Sequence, residues 1–360
     1  MPAVQPLLFT DIAAPAAARQ LPVIGEQRDI SYYGSRARTV MNGPETTGME
    51  FWSINPYTGC AIGCAYCYAR YAHRYAVERV TASADDVSLR HELADLPPWL
   101  AFERRILVKE NAADSLRQQL RTLARNPAKW TSLREQGIAI GTATDPYQPA
   151  ERRYRVTRSL LEVLAGYMHL PVSITTKSPL VTRDIDLLKR IAETAEVVVH
   201  VSLITLDRDL ARKLEPRAPT PEARLRAVER LRNAGIDAGF FIMPVLPGIT
   251  DDPEALDALV ARMAAAGATH VASQSLQLRA TARRRYLPFI EAEFPSLVSR
   301  YRNAYAGGYT VSERYRAGLK AFVEGLCVKH GIRYGFSMAQ EPRRVRRRVI
   351  GEEDQLALGI

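Results

Sequence analysis

The chain has 360 residues, of which 24% are charged and 47% hydrophobic, as expected of a globular protein able to bury a sizeable core. No apolar run reaches the roughly 18 residues needed to span a bilayer, and the Ala/Pro-rich start lacks a basic stretch followed by an apolar core, so neither a membrane span nor a signal peptide is expected and the cytoplasm is the expected location. Three of the four cysteines fall within eight residues, which argues against a secreted disulfide scaffold and for metal ligation in a reducing compartment. The formal net charge of +10 fits a polyanionic partner such as nucleic acid, or simply many solvated arginines.

Residues 1–50 are rich in Ala, Pro, Gly and Arg without a sustained period and read as an extended, partly ordered lead-in. Beyond them short apolar runs alternate with helix-patterned segments. The expected strands are Trp52–Tyr57, Ile138–Thr142, Val172–Thr176, Val197–Ile204, Ala238–Met243 and His270–Gln274. The clearest helical patterns are Val156–Tyr167, Asp184–Glu193, Pro221–Asn233 and Pro253–Ala266. Thr220-Pro221 looks like an N-cap with proline at the first helical position, and Gly235 like that helix's stop. Such alternation predicts an α/β fold with a parallel sheet, six units making a partial (β/α)6 TIM-type barrel over 51–275. The stretch 81–135 adds one strand, Arg105–Lys109, and two helices as an insertion, and 276–360 reads as a helical C-terminal region with a basic tail.

The first strand runs into Asn55-Pro-Tyr-Thr-Gly-Cys60-Ala-Ile-Gly-Cys64-Ala-Tyr-Cys67-Tyr. Three thiolates at Cys-x3-Cys-x2-Cys spacing can hold three irons of a cubane cluster and leave the fourth iron open as a coordination site. Gly59 and Gly63 let the backbone bend around it, and Tyr66 and Tyr68 can shield it or stack on a base. A structural zinc site would need a fourth ligand, for which only Cys327, His73 or another distant histidine stands available, and unpaired thiols are the remaining reading.

At these residues the chain resembles the radical S-adenosylmethionine (SAM) superfamily, whose signature is this spacing with an aromatic before the last cysteine. The resemblance implies a [4Fe–4S] cluster on Cys60, Cys64 and Cys67, SAM chelated through its amino and carboxylate groups, and an external electron donor of flavodoxin or ferredoxin type. Reductive cleavage of SAM would then yield a 5′-deoxyadenosyl radical that abstracts hydrogen from a substrate.

Further words follow the later strands: Thr144-Asp-Pro-Tyr-Gln-Pro-x-Glu151, Thr176-Lys-Ser, Glu215-Pro-Arg-Ala-Pro and Pro244-Val-Leu-Pro-Gly. On residue type alone, Thr142, Thr144 and Asp145 could partner an ammonium group or form an Asp-Pro turn. Lys177 could pair with a carboxylate or sit at the surface. Arg217 and Arg224 could hold a carboxylate or pair with Glu215, and Met243-Pro-Val could wall an adenine. With the cysteine loop, these words resemble the spore photoproduct lyase-like branch over about 50–275. That resemblance implies that Thr144 and Asp145 hold the SAM amino group and that Lys177 and Ser202 sit at its methionine end, with Tyr66 beside the cluster.

One departure matters. The lyase that gives the branch its name repairs a thymine dimer in spores and needs a further cysteine as hydrogen donor, but this chain has none between Cys67 and Cys327. Cys327 lies in a helix-patterned segment as an apolar thiol, so repair of that lesion by that route is not expected, and a tyrosine would have to donate instead. Substrates left open are nucleic acid, a protein or peptide, and a small metabolite. A zinc-stabilised nucleic-acid-binding module is the non-enzymatic alternative. Arg343–Arg348 holds five arginines in six residues, and Arg283–Arg285 precedes Tyr286. Tyr301, Tyr305, Tyr309 and Tyr315 lie among further arginines and read either as a base-stacking surface or as helix packing. His200, on a strand, reads as a core or hydrogen-bonded histidine.

Overall fold

The apolar runs between the helices form one parallel sheet in a computed structural model that describes residues 23–27, 29–74 and 96–336. In chain order the strands are β1 (Val23–Gln27), β2 (Ile30–Ser35), β3 (Met41–Asn42), β4 (Trp52–Ile54), β5 (Tyr57–Thr58), β6 (Arg105–Lys109), β7 (Ile138–Ile140), β8 (Val172–Thr176), β9 (Val197–Ser202), β10 (Asp237–Val245), β11 (His270–Ser275) and β12 (Arg333–Tyr334). The larger sheet runs β12-β11-β10-β9-β8-β7-β4-β3, with β4 and β7 to β12 parallel and β3 antiparallel at one edge. All six expected strands are present in sequential order, each pairing in parallel with the next.

Both faces of these strands are covered. Every residue of β9 is buried, Val197, Val199 and Val201 packing in the core under the outer helices while His200 and Ser202 face the barrel interior. The helices start where the sequence says they should. Thr220 accepts from the Ala223 amide ahead of Pro221–Asn233, Asp252 caps Pro253–Ala265, and Gly235 turns with φ 84° after the former.

Three features depart from the sequence reading. The stretch before residue 50 contributes β1, β2 and β3; β2 reads Ile-Ser-Tyr-Tyr-Gly-Ser, neither an alternation nor an apolar run, and β3 is two residues long. The insertion is not an appendage: β6 pairs with β2 and β5 in a second sheet of order β1-β2-β6-β5, which grips the chain two residues before Cys60. Among the described residues of that stretch three helices, Pro98–Arg104, Ala112–Ala124 and Pro127–Gln136, accompany it where two were expected. Third, the C-terminal region adds β12 to the parallel edge after its helices Ala280–Glu293, Val298–Ala304 and Glu313–Lys329.

Two cores result. One lies between the large sheet and its outer helices, and the second joins Cys60, Cys64, Tyr66 and Phe102 to Tyr286, Tyr301 and Tyr305 of the C-terminal helices. Those three tyrosines are buried, with Tyr301 and Tyr305 stacked at 6.0 Å and Tyr301 donating to the Pro247 carbonyl at 2.8 Å. Tyr301 and Tyr305 therefore pack helices, while Tyr309 and Tyr315 are half-buried, Tyr315 donating to Asp251 at 2.7 Å and Tyr309 lying 5.1 Å under Arg279. Among the described residues no helix is long and apolar enough to cross a membrane.

Glu151, the last residue of the Asp-Pro-Tyr-Gln-Pro word, shows why that word has its length. Its buried carboxylate accepts from Tyr57 Oη at 2.5 Å, from the Thr157 amide at 2.8 Å and from Arg183 at 2.7 Å, tying β5 to the start of the helix Val156–Leu164. Glu151→Ala should destabilise the protein by about 3 kcal/mol in urea titration, because it strands buried donors and part of Arg183.

Candidate functional site

The cysteine loop starts at the end of β5 and lies across the mouth of the sheet. Its backbone is held at nearly every step. The Cys60 amide donates to Phe102 O at 2.8 Å, Ala61 N to Gln148 Oε1 at 2.8 Å, and Ala65 N to Leu214 O at 2.9 Å. Arg70 donates to Cys64 O at 2.6 Å and to Glu103 at 2.5 Å, with its guanidinium fully buried. Arg217 reaches back to the Ala61 carbonyl, and its amide donates to Ile62 O at 3.3 Å. Gly63 has φ 70°, and a Cβ there would stand 2.4 Å from the Arg217 guanidinium, so only glycine allows this close approach.

Cys60 and Cys64 are buried, Cys67 is half-buried, and all three are free thiols lining one cavity of about 470 Å³. Burial, reinforced by the Asp145 carboxylate and by Cys67, pushes the Cys60 thiol up to about 12. Burial likewise raises Cys64, against the nearby Lys177 cation, and Cys67, against Arg70. Thiolates here need a positive partner inside the cavity, which is what iron supplies. Three thiols suit three corners of a cubane, whereas a closed structural zinc site takes four ligands. The suggested fourth ligands lie elsewhere. Cys327 is buried in the other core beside Val323 and Leu326, and His73 Nε2 is 3.0 Å from the Arg105 carbonyl.

Beneath the loop sits Glu215. Its carboxylate is fully buried and takes hydrogen bonds from the Tyr66 hydroxyl and from Arg224, while Lys177 Nζ is 3.9 Å away and 5.8 Å above the Tyr66 ring. Burial opposes its ionisation, but Arg224, Lys177 and the two hydrogen bonds outweigh it and hold the carboxyl below its ordinary value. Arg224 also donates to Ser202 O at 3.0 Å and to Pro219 O at 2.9 Å. Arg224 therefore pairs with Glu215, and Arg217 serves the loop backbone.

The remaining expected residues gather on the same cavity. Thr144 donates to Gly59 O at 2.6 Å. Asp145 Oδ1 accepts from Thr176 Oγ1 at 2.7 Å and Tyr147 N at 2.9 Å, and Oδ2 from Lys177 N at 2.7 Å. A carboxylate has about four lone-pair sites, so one on Oδ2 remains for a ligand. Tyr66, Thr144, Asp145, Lys177 and Ser202 all line the cavity, as do Met243 and Pro244. Tyr68 bridges its rim by donating to the Thr142 carbonyl. Asn55 accepts from the Ala143 amide at 2.8 Å and donates to Thr142 Oγ1 at 3.1 Å, which explains the Asn-Pro lead. Sequence reasoning gave no role to Gln148, although it stands in the Asp-Pro-Tyr-Gln-Pro word, and missed Arg70, Glu103 and Phe336. The run Arg343–Arg348 lies outside the described residues. Of the other arginines, Arg283 donates to the Tyr305 carbonyl and Arg284 lies 5.3 Å over the Trp99 ring.

Glu215→Ala leaves Arg224 and Lys177 buried without their counter-charge, and stability should fall by about 3–5 kcal/mol at neutral pH. Because the folded carboxyl lies below its ordinary value, the stabilisation from its ionised form is full above the unfolded value near 4.5 and is lost as pH falls through the folded one. Glu215→Gln should flatten the stability-versus-pH curve below about pH 5 in thermal melts.

A model of the radical SAM superfamily matches residues 54–260, which contain the cysteine loop and the strands through β10. An uncharacterized protein of Mycobacterium tuberculosis (strain ATCC 25618 / H37Rv) is 35% identical over 303 residues, covering 84% of this chain and 81% of that one. A radical SAM Nalpha-GlyT isomerase of Pseudomonas phage M6 is 28% identical over 240 residues, 66% of this chain and 40% of its own. Among solved structures, spore photoproduct lyase complexed with dinucleoside spore photoproduct superposes with a TM-score of 0.61 at 14% identity, covering 88% of this chain and 86% of that one, a likeness of fold. The chain belongs to the radical SAM superfamily, and is an enzyme whose family cofactors are a [4Fe–4S] cluster and SAM.

Proposed function

We propose that Cys60, Cys64 and Cys67 hold the cluster and that the cavity below them binds SAM beside a substrate that loses a hydrogen atom. The observation that carries this reading is the convergence of three free thiols, one spare Asp145 lone pair and the Lys177 ammonium on one cavity of about 470 Å³. When bound, the cluster supplies an electron and an open iron for SAM cleavage. The chain's own residues bind and orient. Asp145 Oδ2 takes the cofactor's ammonium, and Thr144 fixes the loop at Gly59 so that the cysteines and Asp145 keep their spacing. Lys177, whose Nζ is 3.9 Å from Glu215, lines the cavity where its ammonium can also meet a carboxylate, and Ser202 offers a hydroxyl on the next strand. Met243 and Pro244 close an apolar side for the adenine, and Tyr66 shields the loop from below. An external donor of flavodoxin or ferredoxin type delivers the electron.

For the substrate, nucleic acid is the favoured class. A net charge of +10 supports it, and two proteins of similar fold or sequence are named for a dinucleoside photoproduct and for an Nalpha-GlyT isomerisation. Repair of a thymine dimer through a cysteine hydrogen donor is not proposed, because Cys327 is buried in the core away from the cavity.

Protein reconstituted anaerobically with iron and sulfide, then reduced, should convert SAM to 5′-deoxyadenosine, as read by chromatography. A colourless product holding one zinc and making none would contradict the assignment. Cys64→Ala should lose most of the iron while keeping the fold, judged by iron content and circular dichroism. Binding to DNA and RNA should weaken steeply with salt if nucleic acid is the substrate, and flat, negligible binding would remove that class.

A further inference from the structure

The barrel interior carries a polar device to which the proposed SAM contacts assign no role. One rung of the sheet aligns Thr175 of β8, His200 of β9, Gly239 of β10 and His270 of β11. Gly239 has no side chain, and a Cβ there would lie 2.5 Å from Cε1 and Nδ1 of the His270 ring. That gap lets the two imidazoles meet across β10, His200 Nδ1 standing 2.8 Å from His270 Nε2. Behind them His270 Nδ1 is 2.9 Å from Thr269 Oγ1, which donates to the half-buried Asp237 carboxylate.

The protons in this chain have one consistent placement. Asp237 only accepts, and so does the Ala238 carbonyl 3.2 Å from the same hydroxyl, so the single Thr269 proton is committed outward. His270 Nδ1 must then carry a proton and donate to Thr269. Both rings are neutral. Burial, with His270 alongside, holds His200 far below its ordinary value. Burial brings His270 down to about 4 against the pull of Asp237, with Arg333 and Arg232 adding to the depression. A neutral His270 with its proton on Nδ1 has a bare Nε2, so His200 must donate from Nδ1, which leaves His200 Nε2 bare. That nitrogen is buried without a hydrogen-bond partner, on a ring 1% exposed that lines the cavity between Phe241, stacked at 4.2 Å, and Phe336 at 4.5 Å.

We infer that His200 Nε2 is a hydrogen-bond and proton acceptor for a hydroxyl or N–H of the molecule in the cavity, kept in that tautomer by the relay His270–Thr269–Asp237. A buried acceptor without a partner is unfavourable, and a hydroxyl or N–H of the molecule in the cavity would satisfy it. Where the reaction releases a proton, the transfer balances. The ligand's X–H loses a proton to Nε2, the Nδ1 proton of His200 passes to His270 Nε2, that of His270 passes to Thr269, and the hydroxyl proton reaches the Asp237 carboxylate. No electrons move. Thr269, His270 and Asp237 are positioning residues.

The inference rests on the radical SAM reading only for what fills the cavity. Its test is independent of SAM cleavage, so the two can fail separately. Long-range proton–nitrogen correlation of the full chain with labelled histidine at pH 7, assigned from H200Q and H270Q, should show both rings protonated on Nδ1 alone. Thr269→Val should let the other tautomer appear at both rings, and Thr269→Ser should restore the wild-type pattern. A proton on His200 Nε2 in the wild type, or a valine variant indistinguishable from it, would overturn the relay. Adding SAM to the reconstituted protein, and then a thymidine dinucleotide, should shift the His200 Nε2 resonance at one of the two steps. A resonance unmoved by both would overturn its role as acceptor.

Discussion

The buried carboxylate of Glu215 sets the geometry on which the site depends. A charge with no water around it must be fully paired, and here Tyr66, Arg224 and Lys177 do the pairing from three different parts of the chain. Each partner carries a piece of the site with it. Tyr66 lies between Cys64 and Cys67, Lys177 ends β8, and Arg224 anchors the end of β9 through the Ser202 carbonyl. The adjoining backbone completes the clamp, Leu214 accepting from Ala65 and Arg217 reaching Ala61. Moving this carboxylate would therefore move the cysteine loop relative to both strand ends.

The sheet supplies the second constraint. Parallel strands in sequential order place every exit at the same edge, so words far apart in sequence meet on one cavity. The helix Pro98–Arg104 and the C-terminal helices seal the loop from either side, through the Cys60–Phe102 hydrogen bond and through the packed tyrosines. The far side of the barrel interior is organised by different means. A glycine in β10 admits two histidines to one rung, below the strand ends that face the thiols.

Much of this was legible in the sequence because the physics leaves a period or a spacing. The six core strands are buried on both faces and read as short apolar runs. Thr220-Pro221 and Gly235 mark a helix by capping chemistry, and three cysteines within eight residues speak for themselves. Strands of two residues such as β3, β5 and β12 have no period to detect, and their pairing is decided by tertiary contact. Glu215 could be seen near two arginines, but which arginine it would pair with depends on the approach of β9 and the loop, and the structure selects Arg224. The tyrosine-and-arginine stretch after 283 was ambiguous because composition does not say which face of a helix is covered. His200 read as an ordinary strand histidine because its partner lies 70 residues away across a glycine.

If three cysteines leave one iron of a cubane open, SAM should coordinate that iron, and low-temperature electron paramagnetic resonance of the reconstituted, reduced protein reads this out with and without SAM. The expected spectrum is that of a reduced [4Fe–4S] cluster whose g-values shift when SAM is added. The absence of a cluster signal, or a signal indifferent to SAM, would refute the open-iron assignment.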